Sequence, residues 1–155
     1  MPIEIRRFGV GHRRPDGPPG TVGIEGRVIE SRSSGSIAEL AFGRQARIAP
    51  HSNPRSSWFL VIEGGGWVGV GDERTRVTAG EAVVWPPDVV HAAWTDGVPM
   101  RAIVVELAEE PRLIEQAGPI GVVPPRPVSK GVGGLAPRPA PRAARDPDAA
   151  EGEPR

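Results

Sequence analysis

Punctuation is the feature that most restricts how this chain can fold. Its 155 residues include 21 glycines and 19 prolines, well above ordinary usage, so turns are frequent and long helices have little room. Short β-rich or alternating runs lie between them: EIRRFGV, TVGIEGRVIE, SIAELAFG, ARIAP, WFLVIEG, WVGVGD, RTRVTAG, EAVVWPP, HAAWT and RAIVVELA. Turn chemistry is expected at Gly64 to Gly66, Gly71-Asp72, Ala79-Gly80, Pro86-Pro87-Asp88 and Asp96-Gly97. Many short strands divided in this way predict an all-β sandwich or barrel. Only EEPRLIEQAG has a helical pattern, with Pro111 suited to its first turn. The segment RRPDGPPGTVG is expected to lie as an ordered arm over the body, and no internal repeat is evident.

Composition narrows the chemistry. Cysteine is absent, which removes disulfides, thiolate metal sites and cysteine nucleophiles together and suits a reducing cytoplasm. Tyrosine is absent too, so no phenol serves as acid or base. Basic and acidic residues balance at 19 each, giving no electrostatic case for nucleic acid or membrane. The start, MPIEIRRFG, lacks the apolar core of a signal segment, and no run approaches a membrane span. From Pro124 the chain turns to proline, alanine, glycine and charge. Such a segment buries too little apolar surface to offset its ordering entropy. Residues 1–123 are therefore expected to form one domain with an N-terminal arm and a short C-terminal helix, and residues 124–155 a disordered tail.

Three histidines exist: His12, His51 and His91. His51 lies in PHSNPRSSWFLVIEGGGW and His91 in WPPDVVHAAWT. On an unbroken strand, positions 51, 53, 57, 59 and 61 share one face, and 91, 93 and 95 would face them from a neighbouring strand. Imidazoles from two strands can form half a metal site suited to Fe, Ni or Zn, with Asn53 adding a weak carbonyl oxygen. Ser57 is a poor ligand, and Glu63 lies too far along the strand to replace it. His12 could join from the arm, or from the arm of a partner subunit. Simpler roles stand beside these: His51 as a loop cap between Pro50 and Pro54, His91 as a hydrogen-bonded barrel histidine. Arg55 could hold an anionic group on a ligand, or sit solvated. Trp85 could wall a pocket, or pack. Trp58 and Trp94 have the opposite parity and are expected in packing or dimer contacts, and Trp58, Leu60 and Ile62 give an outward apolar face.

Residues 46–107 resemble the cupin superfamily. In its first motif a glycine precedes His-x-His, a glutamate and a closing glycine; here His51, Asn53, Ser57 and Gly64 take the last four of those places. The second motif matches at Gly80, Pro86, His91 and Thr95, with Asp88 where a glycine usually stands. The resemblance implies a double-stranded antiparallel β-barrel (jelly roll) with a small-molecule pocket. It also implies a divalent transition metal, for which His51, Asn53 and His91 are the candidate ligands, weakly held. Three functions stay open. One is an enzyme of oxygenase, isomerase or cyclase type with His51 and His91 as catalytic residues and Arg55 and Trp85 as substrate contacts. The second is a non-catalytic ligand-binding module, and the third a structural protein. A homodimer is expected, since small cupins commonly pair through a sheet face. The missing tyrosine argues against the tyrosine-assisted epimerase pattern of some cupins.

Overall fold

Two long strands carry the architecture. The computed structural model describes residues 2–108. Within them the strands are β1 (Arg14–Pro15), β2 (Val22–Arg32), β3 (Gly35–His51), β4 (Ser56–Val70), β5 (Glu73–Thr78), β6 (Ala82–Trp85), β7 (His91–Trp94) and β8 (Met100–Leu107). Every pairing is antiparallel. The first half of β3 pairs with β8 and its second half with β7. β4 likewise pairs with β8 and β6 early, then with β7 and β5. Each long strand thus changes partners halfway along, and the eight-stranded sheet closes into the jelly-roll barrel. The all-β expectation is met, with no helix among the described residues. The helix expected over residues 109–118 and the disordered tail expected over 124–155 lie outside them.

Three details of the expected strands are corrected. SIAELAFG and ARIAP are one strand, because Gly43 and Ala46 are held by Thr95, whose hydroxyl donates to the Gly43 carbonyl and accepts from the Ala46 amide. WFLVIEG and WVGVGD are also one strand, and Gly64 to Gly66 form a bend inside β4 rather than a turn. Gly64 has φ of 71° and follows a register shift between Val61 and Glu63. A Cβ there would meet the Pro99 carbonyl oxygen at 2.0 Å, so only glycine lets β4 bend against its neighbour. The first run, EIRRFGV, makes no strand; the arm pairs only through β1, where Arg14 and Pro15 stand opposite Gly26 and Glu25.

The inward faces meet in a core that includes Ile24, Phe42, Ile48, Phe59, Val61, Val68, Met100 and Ala102. The arm is fixed on the outside by one carboxylate. Glu39, on the outer face of β3, is fully buried. Arg13 grips it with Nε and Nη2 at 3.0 and 2.8 Å, Arg101 donates from Nε at 2.9 Å, and the Gly9 amide adds a fourth bond at 2.9 Å. The Arg13 hydrogen bond is the main cause that holds this carboxyl below its usual range. Arg101 also reaches Glu63 at 2.9 Å, so that glutamate is occupied outside the barrel. Fastened there, the arm carries Asp16, Gly17 and Pro18 to the open end of the barrel.

Candidate functional site

The barrel encloses a cavity of about 310 Å³. That is at the small end of ligand pockets. His51 ends β3 and His91 begins β7, and the two are direct cross-strand partners just past a register shift. The expected unbroken strand from position 51 to 61 does not exist, since residues 52–55 form a loop between β3 and β4. His51, Asn53 and Ser57 line the cavity all the same, because the loop folds back and β4 re-enters with Ser57 inward. Of the trio expected from β7, only His91 lines it; Ala93 joins the core and Thr95 is spent on β3.

The rings of His51 and His91 meet edge to face, centroids 4.5 Å apart at 67°. His91 stacks on Trp85 at 4.2 Å, and Trp85 on Phe59 at 4.7 Å. The Nδ1 of His51 faces the Ala49 carbonyl at 2.9 Å, and that of His91 faces the Val89 carbonyl at 3.1 Å. A carbonyl oxygen only accepts, so each Nδ1 carries a proton, and in the neutral ring the lone pair is left on Nε2. His91 is 2% exposed. Burial, and then the charge of the adjacent His51, push its imidazole down to about 4, against the opposing hydrogen bond to Val89.

The other expected residues divide. Trp85 walls the cavity, and its indole Nε1 is buried without a partner among the described residues, which costs about 1–3 kcal/mol until something accepts from it. Asn53 lines the cavity, but its Oδ1 already accepts from the Arg55 amide at 3.1 Å. Arg55 is not among the lining residues; its Nη2 donates to the Ser33 carbonyl at 3.0 Å. His12 is exposed in the arm and also lies off the cavity. Asp88 takes φ of 61° at the place where the cupin motif has glycine. It is the one non-glycine residue in the left-handed region among those described, a conformation aspartate tolerates. Its amide donates to the Asn53 carbonyl at 2.8 Å, so the turn before His91 is tied to the loop after His51.

Sequence reasoning missed Glu106, Asp16 and Ser36 as lining residues. Glu106 was detectable: it shares the inward parity of Val104 and Ala102 on β8, a charged residue on an otherwise apolar face. A larger groove, about 670 Å³, runs along Gly64 to Gly66 with Arg76 and Glu81, and it contains no imidazole.

A small antiparallel barrel with paired imidazoles at an internal cavity defines the class. Residues 38–106 match the Cupin_2 family model, described as Cupin domain, and the chain carries a cupin-superfamily domain there. Among solved structures it is similar to the polyketide cyclase RemF from Streptomyces resistomycificus, at 19% identity and TM-score 0.58 over 70% of this chain and 83% of that one. KdgF from Halomonas sp. is similar at 21% identity and TM-score 0.53, over 62% and 90% of the two chains. A cupin-like protein from Thermotoga maritima gives 19% and 0.57, over 64% and 81%. No curated protein matches the chain in sequence.

Cupins often hold a metal, and the donor set decides whether these residues suit one. Two imidazole lone pairs are present, Asn53 is engaged, and Ser57 is neutral. Among the described residues no group of three or more His, Cys, Asp or Glu is placed to hold an ion. An open catalytic site usually has three protein ligands, so the residues present do not fit a tightly held metal.

The buried imidazole makes stability depend on pH. Its folded value of about 4 lies below the ordinary 6.5, so in that window the unfolded chain takes a proton that the folded chain refuses. The contribution is complete above that window and is lost as pH falls through it. Lowering pH from 7 to 5 should cost about 2 kcal/mol through this group. Urea unfolding of the chelator-treated protein at both pH values should show that loss, and His91→Gln should remove it. Equal losses in both proteins would contradict the burial of a neutral His91.

Proposed function

We propose that this cupin is a small-molecule enzyme of the proton-transferring kind, an isomerase or cyclase, with His51 and His91 as its catalytic pair. The observation that carries this reading is the cross-strand imidazole pair, with both Nδ1 atoms tied to backbone carbonyls and both Nε2 lone pairs free. His91, buried and neutral, is suited to accept a proton from one atom of a bound substrate at its Nε2 and to return that same proton to another atom. His51, half-buried beside it, is suited to accept a hydrogen bond from the substrate at its own Nε2 and so hold the reacting atoms against His91. The RemF likeness favours cyclase chemistry as the variant to test first. Trp85 and Asn53 would contact the substrate from the wall and loop, with Arg55 at most a rim residue.

Deuterium uptake at the carbon next to the carbonyl of 2-tetralone, followed by NMR in D2O, tests the reading. The wild type should accelerate exchange over buffer, and His91→Gln should lose about 100-fold or more of that gain. No acceleration would favour the non-catalytic binding module. The losses at positions 53 and 57 are what supports that second reading.

We also propose that any divalent metal is held only weakly. Titration with Zn(II) or Ni(II) should give micromolar affinity or worse, weakened further by His51→Ala or His91→Ala. Asn53→His with Ser57→Glu should tighten binding by about 100-fold or more, since it adds an imidazole and a carboxylate at two lining positions. A folded double variant with no gain would refute the placement of that loop. Stoichiometric metal surviving dialysis in the wild type would show a strong ligand outside this set.

The homodimer rests on the outer sheet face. Val84, Trp58, Val105 and Ile37 stand side by side in cross-strand register, with Leu60 and Ile103 forming the next pair. Ile37 and Ile62 are 39% and 44% exposed, and a two-fold pair would bury this row against its own copy. Sedimentation at tens of micromolar should show a dimer that Trp58→Glu dissociates. A wild-type monomer would remove the proposal.

A further inference from the structure

The cavity has a charge pattern that the catalytic reading leaves unused. Its inner wall contains one row of directly paired residues across four strands: Ser36, Glu106, Ser57 and Trp85. Glu106 accepts from the Ser36 hydroxyl at 3.2 Å through Oε1. At the other end of the row the Trp85 indole offers a buried N–H with no partner. A second carboxylate, Asp16, also lines the cavity, and among the described residues no lysine or arginine does. The guanidinium of Arg55, in the loop after His51, is turned to a backbone carbonyl. The rest of the wall includes apolar Leu40, Ile48 and Val104.

We infer that this cavity selects an uncharged hydroxy-carbonyl compound and rejects carboxylates, with Glu106 as the specificity-determining residue. The inference rests on the cavity being the ligand site proposed above. The ligand's carbonyl oxygen accepts from Trp85 Nε1, satisfying the orphaned donor. Its hydroxyl donates to Glu106, a charge-assisted bond in a partly desolvated wall. An anionic ligand would instead meet two carboxylates with no lysine or arginine among the described lining residues to offset them, and like-charge contact of that kind is a device for excluding a wrong partner.

Two probes of similar size separate these cases: 3-hydroxyacetophenone and 3-hydroxybenzoate. Their affinities are measured by NMR titration, following the Trp85 indole N–H signal assigned by its loss in Trp85→Phe and the ring signals of His91 assigned by their loss in His91→Gln. The ketone should bind at least about tenfold more tightly than benzoate and should move both sets of signals. Glu106→Gln keeps an acceptor for Ser36 while removing the charge, and should bring ketone and benzoate to within about threefold of each other. Benzoate binding as well as the ketone would overturn the inference, as would an unchanged ratio in Glu106→Gln, a still indole signal, or no binding of either probe. Ketone and benzoate binding equally while moving the His91 signals would overturn charge selection and leave the catalytic cavity standing. Binding that moves neither the Trp85 nor the His91 signals would take down both.

Discussion

The exchange of partners along β3 and β4 is the constraint from which the rest of this structure follows. Each strand spends its first half beside β8 and its second beside β7. A straight strand would keep one set of partners, so both must bend, and both bend where side chains are small or pinned. In β4 the bend falls at Gly64 to Gly66, where a Cβ would strike neighbouring backbone. In β3 it falls at Gly43 to Ala46, held by the Thr95 hydroxyl. Only because β3 exchanges β8 for β7 does its last residue, His51, come opposite the first residue of β7, His91. The imidazole pair is thus a consequence of barrel closure.

Much of this was legible in the sequence, because period-two alternation reports faces directly. Phe59, Val61, Ala93 and Ala102 all point inward as their parity requires, and the turns at Gly71-Asp72 and Ala79-Gly80 fall between strands. What alternation does not report is continuity. Gly64 to Gly66 read as a turn, since glycine serves turns and bulges for the same reason, and only the pairing with β5 and β8 tells the two apart. The arm was harder still. Its fastening depends on Glu39, which sits on the outer face and would be assigned to solvent, and whose partners Arg13 and Arg101 are distant in sequence.

The candidate site shows the same division. His51, Asn53, Trp85 and His91 could be read from motif spacing, and all four line one cavity. Arg55 was near in sequence but turns away, because Ser33 in the β2–β3 turn presents a free carbonyl to it. Glu106 and Asp16 belong to no motif. Their charge matters only once the barrel brings them into one cavity with the histidines, and the lack of a lining cation among the described residues matters only once that cavity exists. A departure from a family pattern at Asn53 and Ser57 is therefore more than a loss of ligands: it leaves two imidazoles with free Nε2 atoms in a wall whose remaining charge is negative.

The central claim is that His51 and His91 are held as neutral Nδ1–H tautomers whose Nε2 atoms face the ligand space together. Long-range ¹⁵N–¹H correlation spectra of the chelator-treated protein at pH 8, where a free imidazole is neutral, test this most directly. Both residues should show a protonated Nδ1 and an unprotonated Nε2, with contacts between protons of the two rings. An Nε2–H tautomer at either residue, or rings that show no contact, would contradict the account.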